Sequence, residues 1–180
     1  MNVFSAAIIR QINQIFVTLI AEAIRSSEDG EALYSDLCRR PENYCGEPIL
    51  PEIRNCIQKA ASEKPVLDGR HSGWVLLAFQ NALYQLIHAV SFDRAVIDTV
   101  MGGGDTDTNG AICGALMGAV LGYSAIPEDW SSKVLSCEPT RENKAAYPRP
   151  EIYWAADALR IADALLELRQ RVTADGEAGS

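Results

Sequence analysis

The sequence lacks the excess of basic residues that a nucleic-acid-binding surface needs. Its 180 residues contain 16 Lys and Arg against 24 Asp and Glu, which gives a formal net charge of −8. Because clustered lysines and arginines supply most of the attraction to a phosphate backbone, we do not expect this protein to bind nucleic acid. A single anion can still be bound locally, by backbone N–H groups or by a helix N-terminus.

Histidine is also scarce, since His71 and His88 are the only two in the chain. The five cysteines form no CxxC pair, and their odd number argues against a complete disulfide framework. A zinc cluster is not expected from so few histidines and unpaired cysteines. We predict reduced, buried thiols in a cytoplasmic protein, and we interpret both histidines as structural or surface residues.

No apolar run is long and uninterrupted enough to predict a membrane span. A spanning helix needs about 20 consecutive apolar residues. The apolar stretch over 1–24 is broken by five polar or charged residues between positions 10 and 22. The same interruptions argue against a signal peptide. We therefore expect no membrane partner.

Apolar residues recur at three- and four-residue steps through most of the chain, which is typical of helices. This periodicity predicts helices over 4–23, 74–90 and 151–171, a short helix over 93–100, further short helices over 26–65 and a loop-rich segment over 127–150. No segment is predicted to form a strand. The length and the 48% hydrophobic content fit one folded domain. We predict an all-α fold with a single helical domain over 1–172 and a solvated tail over 173–180.

The segment over 101–122, MGGGDTDTNGAICGALMGAVLG, is the most informative. Its later glycines, at positions 110, 114, 118 and 122, share one face of a helix, so a neighbouring backbone can approach closely. Each glycine costs roughly 1 kcal/mol of helix stability relative to alanine. Since packing must offset this cost, we predict a deeply buried central helix.

Acidic and hydroxyl side chains follow the three glycines at 102–104, where this helix begins. Asp105 and Asp107, with threonines beside them, provide hard oxygen donors that suit Mg²⁺, Mn²⁺ or Ca²⁺. The glycines would allow backbone N–H groups to approach an anion, and the helix start favours phosphate. Carboxylates, a metal and a phosphate together indicate a nucleotide-like substrate. The alternative is that these residues are ordinary helix N-caps, and the residues alone leave it open.

Three other known motifs do not fit this segment. An EF-hand loop needs a glutamate at its twelfth position, where this chain has Leu116. An aspartyl-nucleophile phosphatase would have DxDxT after a buried strand, but the fifth position here is Asn109 and glycines precede it. A Walker A loop needs GK followed by Ser or Thr, and the sequence contains none.

GGGDTDTNGAICGALMGAVLG closely resembles the C-terminal metal motif of the ADP-ribosylglycohydrolase family. Ser72-Gly73-Trp74 resembles the family's SGY segment, and Ile126-Pro127 followed by Trp130 resembles its IP..W segment. The resemblance implies an orthogonal multi-helix bundle with two Mg²⁺ or Mn²⁺ ions at its centre. It also implies hydrolysis of an ADP-ribosyl linkage in a modified protein or an ADP-ribose-containing small molecule.

The resemblance also implies roles for individual residues, although it assigns no catalytic residue. The implied metal ligands are Asp105, Asp107 and Thr108. The implied phosphate-binding and substrate-binding residues are Gly102, Gly103, Gly104, Ser72, Gly73 and Trp74. Trp74 stands where the family usually has tyrosine, and it would stack on adenine or serve as a core residue at a helix start.

The family's N-terminal motifs, a GDALG-like segment and TDDT, do not occur in this sequence. The chain therefore resembles the C-terminal portion of the family domain, lacking its N-terminal helices. Two carboxylates and one hydroxyl cannot fill the oxygen shells of two hard cations. The alternative to an active enzyme is thus a non-catalytic relative that binds ADP-ribose, or a chain completed by a homodimer partner or by an N-terminal-half chain.

Overall fold

The computed structural model describes residues 6–69 and 71–177, and within those residues it contains eight α-helices and no β-strand. The prediction of an all-α fold is confirmed. The helices are α1 (Ala6–Ser26), α2 (Gly30–Arg39), α3 (Pro51–Ala60), α4 (Val75–His88), α5 (Phe92–Met101), α6 (Thr106–Leu121), α7 (Glu128–Leu135) and α8 (Ala158–Glu177). The chain divides into two compact units, Met1–Ile126 and Pro127–Ser180.

Helix α1 forms where the periodicity predicted the first helix, and its regularly spaced apolar residues are buried. These residues are Ile8, Ile12, Ile15, Leu19 and Ala23. Gln11 lies on the same face, where its Nε2 donates to the Pro48 carbonyl at 3.0 Å and its Oε1 accepts the Leu50 N–H at 3.0 Å. These two bonds hold α1 against the segment that leads into α3.

By length and composition alone, α1 could cross a membrane, and no other helix in the described residues passes that test. One face of α1 nevertheless packs into the first unit, with Ile15 and Leu19 fully buried. Burial of one face is the arrangement of an amphipathic core helix in a globular unit.

Helix α6 packs against α1, α4 and α5 in the first unit. Its glycines face α5, because an ideal Cβ on Gly114 would lie 3.7 Å from Val96 and one on Gly118 would lie 3.7 Å from Phe92. The predicted glycine face is therefore confirmed for Gly114 and Gly118, whereas Gly122 ends the helix and has no atom within 4 Å of its ideal Cβ. The prediction of a deeply buried central helix holds only in part, since Cys113 and Leu116 are buried but Ala111 is exposed.

The second unit departs from the predictions. Helix α7 lies inside the segment predicted to be loop-rich, because Glu128 and Asp129 in its first turn and Lys133 in its last turn complement the helix dipole. None of its eight residues is buried. Helix α8 begins at Ala158, after two short 3₁₀ turns over 151–157, rather than at residue 151.

Helix α8 exposes its leucines, with Leu165 61% and Leu168 57% accessible. It continues to Glu177, beyond the start of the predicted tail, and residues 178–180 lie outside the described part. A single domain over 1–172 followed by a solvated tail stays a prediction.

All five cysteines are free thiols, as predicted. The prediction that they are buried holds for Cys56 and Cys113 but is wrong for Cys38 and Cys137, which are exposed. Burial raises the pKa of the Cys56 thiol to about 12, so this thiol stays protonated at neutral pH. Cys38 and Cys137 each carry their thiol on a solvated surface, where sequence periodicity gives little information.

Candidate metal and nucleotide site

The glycine loop that joins α5 to α6 has a backbone that only glycine adopts readily. Gly103 and Gly104 have positive φ angles of 76° and 70°, a region in which a Cβ is strained. Gly102 caps α5 in a right-handed conformation. The two left-handed residues turn the chain sharply and place Asp105 at the N-cap position of α6.

The described residues Leu67, Asp68 and Ser72 of the 67–73 segment pack directly on this loop. A Cβ on Gly104 would collide with the backbone carbonyl of Leu67 and would lie 3.0 Å from the Ser72 Cβ. A Cβ on Gly73 would lie 3.9 Å from the Asp105 Oδ2. The structure therefore brings the predicted substrate segment, Ser72-Gly73, against the predicted metal loop, although about thirty residues separate them in the sequence.

Sequence reasoning missed one carboxylate in this arrangement, that of Asp68. The Asp68 Cβ lies 3.3 Å from the position of an ideal Cβ on Gly103. Asp68 is exposed at the edge of the loop. Only its position next to Gly69, a turn residue, marks it in the sequence, and that signal indicates a turn rather than a site.

Asp105 is the N-cap residue of α6, and Asp107 stands in the first turn of that helix. The neighbouring Asp105 side chain lowers the pKa of Asp107, as do the N–H groups of Thr108 and of Asp107 itself. Two neighbouring carboxylates repel each other unless a proton or a cation lies between them. The pair is therefore suited to holding a positive charge.

The structure gives a different answer for each aspartate to the question of whether it is only a helix N-cap. Asp105 occupies the N-cap position and is half-buried, but its side chain makes no capping hydrogen bond. Asp107 is exposed, and its carboxylate accepts N–H groups of its own helical turn. Helix capping thus explains part of the role of Asp107. It does not explain the position of the Asp105 side chain.

The donor set fits part of the coordination shell of one hard cation. Asp105, Asp107 and the neighbouring Thr108 supply oxygen ligands, which Mg²⁺ and Mn²⁺ prefer. No cluster of three or more acidic, histidine or cysteine side chains able to hold a metal occurs in the described residues. Mg²⁺ is commonly held by one or two carboxylates together with water and substrate phosphates. The residues present therefore fit such an ion if other groups complete its shell.

Backbone hydrogen bonds limit which glycine amides could bind a phosphate. Gly102 donates its N–H to the Thr99 carbonyl and Gly103 donates to the Val100 carbonyl, both at 3.1 Å. Of the three loop amides, that of Gly104 has no backbone acceptor within the described part of the chain. Phosphate binding by this loop stays a prediction, with Gly104 as its best-placed donor.

A buried polar pair anchors the end of α5 that leads into the glycine loop. Asn81 on α4 donates from its Nδ2 to the Thr99 hydroxyl at 2.8 Å, and this hydroxyl donates to the Ala95 carbonyl at 2.8 Å. Both side chains are fully buried. Thr99 lies three residues before Gly102, so this contact fixes the start of the loop relative to α4.

Comparison with known proteins gives the family. The family model described as ADP-ribosylglycohydrolase matches residues 7–174. The chain belongs to the ADP-ribosylglycohydrolase family. Both motifs that meet in the site, Ser72-Gly73 and the loop before Asp105, lie inside the matched region.

Two named relatives illustrate this membership. A protein of Acanthamoeba polyphaga mimivirus that bears the name ADP-ribosyl glycohydrolase is 39% identical over 89 residues, or 48% of this chain and 26% of that protein. The ADP-ribosyl-[dinitrogen reductase] glycohydrolase of Rhodospirillum rubrum is 38% identical over 66 residues, or 37% of this chain and 22% of that enzyme. The matches thus span about a quarter of these relatives' length. No solved structure matches the chain significantly.

Trp74 immediately precedes α4. Its side chain is half-buried rather than enclosed in the core. Its ring centroid lies 5.8 Å from that of His71, with the two planes inclined at 54°. The half-buried position disfavours the core alternative, and adenine stacking by Trp74 stays a prediction.

Proposed function

We propose that this protein takes part in metal-dependent hydrolysis of an ADP-ribosyl linkage, in an ADP-ribosylated protein or an ADP-ribose-containing small molecule. One observation carries the proposal: the Asp105 Oδ2 lies 3.9 Å from the position of an ideal Cβ on Gly73, so the loop that leads into Asp105 and Asp107 lies against the Ser72-Gly73 segment in a member of this family. Membership supports the class of reaction, and the site geometry supports the residues. A cytoplasmic location remains an expectation.

In this proposal, Asp105, Asp107 and Thr108 hold Mg²⁺ or Mn²⁺. A bound ion of this kind supplies Lewis-acid chemistry, by polarising a substrate oxygen and lowering the pKa of a bound water. The rigid glycine loop fixes Asp105 relative to Ser72 and Gly73, which would line the ribose and phosphate side of the substrate. Gly104 would donate its N–H to the diphosphate, and Trp74 would stack on the adenine.

A second candidate function follows from the incomplete ligand set. The described residues contain no cluster of three metal-binding side chains, and the proposed mechanism needs a general base that no residue here is assigned to supply. In this candidate the chain binds ADP-ribose without turnover. Alternatively, an N-terminal-half chain or a homodimer partner completes a two-ion site.

The test measures ADP-ribose release from an ADP-ribosylated protein by the purified chain with Mg²⁺ or Mn²⁺, and ADP-ribose binding by calorimetry. We expect Asp105→Ala to abolish release and to weaken Mn²⁺ binding at least about tenfold, because it removes the half-buried carboxylate of the pair. Chelation of the metal should have the same effect on the wild-type chain.

Asp129→Ala is the matched control, since Asp129 also stands in the first turn of a helix, α7, but outside the site. It should leave metal binding unchanged. Binding of ADP-ribose without release would favour the second candidate function. Release that is unaffected by Asp105→Ala would contradict the proposed metal site.

A further inference from the structure

His71 forms a ring pair with Trp74 immediately before α4. The ring centroids are 5.8 Å apart, and Trp74 donates its backbone N–H to the His71 carbonyl at 2.9 Å. The imidazole is exposed and the indole is half-buried. A single backbone turn therefore holds two aromatic rings together at the protein surface.

The neighbours of His71 in the chain belong to the candidate site. Ser72 packs on Gly104, and Gly73 faces the Oδ2 of Asp105. The turn that carries His71 is thus fixed against the metal loop. The exposed imidazole lies at the edge of this site rather than on an unrelated surface.

We infer that His71 is a binding residue for the base of the nucleotide, acting beside Trp74. This inference rests on the proposed function. Stacking needs an exposed π face and tolerates different ring types. Because the two ring planes are inclined at 54°, a base that stacks on one ring would contact the other ring at an angle. The sequence alone predicts a structural or surface histidine, because the ring pairing is visible only in the structure.

The test measures the Kd for ADP-ribose and for ribose 5-phosphate, which lacks the base, with Mg²⁺ present. His71→Ala should raise the Kd for ADP-ribose by at least about fivefold. It should leave the Kd for ribose 5-phosphate unchanged. His71→Phe, which keeps an aromatic ring, should retain the wild-type Kd for ADP-ribose within about twofold.

His88→Ala is the matched control. His88 is the last residue of α4, and the length of this helix places it about 20 Å from Trp74, which precedes the first residue. The His88 ring contacts Tyr84 and not Trp74. This variant should bind both ligands as the wild type does.

The outcomes separate this inference from the proposed function. A wild-type chain that binds neither ligand overturns both. Wild-type binding that His71→Ala leaves intact overturns only the role of His71. If His71→Ala raised the Kd for both ligands equally, the residue would support the loop and would not contact the base. That result also overturns the inference.

Discussion

Two groups of glycines within twenty residues of each other serve different purposes. Gly103 and Gly104 in the loop have left-handed backbones and abut the 67–72 segment, so neither tolerates a side chain. Gly114 and Gly118 in α6 have room for a Cβ at ordinary contact distance from α5. The loop glycines are required by the geometry of the site, whereas the helical glycines only permit a close approach between two helices.

The largest effect is expected for Gly104→Ala. The new Cβ would collide with the Leu67 carbonyl, whose carbon would lie 2.9 Å away, and φ is +70°. Backbone strain of about 1–2 kcal/mol and overpacking of about 1–3 kcal/mol should together lower the free energy of unfolding by about 2–5 kcal/mol. Urea denaturation followed by circular dichroism measures this difference.

Gly46→Ala is the control for the strain alone. Gly46 has a similar φ of +72°, but no atom lies within 4 Å of its ideal Cβ. We expect this variant to lose only about 1–2 kcal/mol. If both variants lost the same amount, the contact between Gly104 and the 67–72 segment would be absent in solution.

The difference between the loop and the helices also shows which features the sequence could predict. Apolar periodicity predicted α1, α4 and α5, because each places apolar residues on the core, and the spacing of the glycines predicted α6. The periodicity missed α7, which buries none of its residues and carries Glu128 and Lys133 at its ends. The loop and its aspartates were predicted from residue chemistry and family resemblance. The Gly104–Leu67 contact and the Asn81–Thr99 bond were not, because they depend on tertiary pairing that local patterns do not encode.

The next largest loss of stability is expected when the hydrogen bond between Asn81 and Thr99, which fixes the start of the glycine loop, is removed. Thr99→Val keeps the shape of the side chain but removes the hydroxyl that accepts the Asn81 Nδ2. Because Asn81 is fully buried and its Oδ1 already lacks a partner among the described residues, we expect a loss of about 1–3 kcal/mol of unfolding free energy. The same urea experiment measures it.

Thr99→Ser distinguishes the contribution of the hydroxyl from that of the methyl group. It keeps the bond to Asn81 and removes one methyl group, which costs about 1 kcal/mol in a core. A Thr99→Val variant as stable as the wild type would mean that the buried hydrogen bond contributes nothing to the free energy of unfolding.

The smallest change in the free energy of unfolding is expected for Gly114→Ala, and it is of opposite sign to the others. An ideal Cβ at this position would lie 3.7 Å from Val96 and 3.8 Å from Phe92, which are ordinary van der Waals distances. Alanine is favoured over glycine in a helix interior by about 1 kcal/mol, so the variant should match or exceed the wild-type free energy of unfolding by up to that amount. Destabilisation by more than about 1 kcal/mol would mean that α5 and α6 approach more closely than described. The helical glycines would then be required by packing, as the loop glycines are, and the contrast between the two groups would disappear.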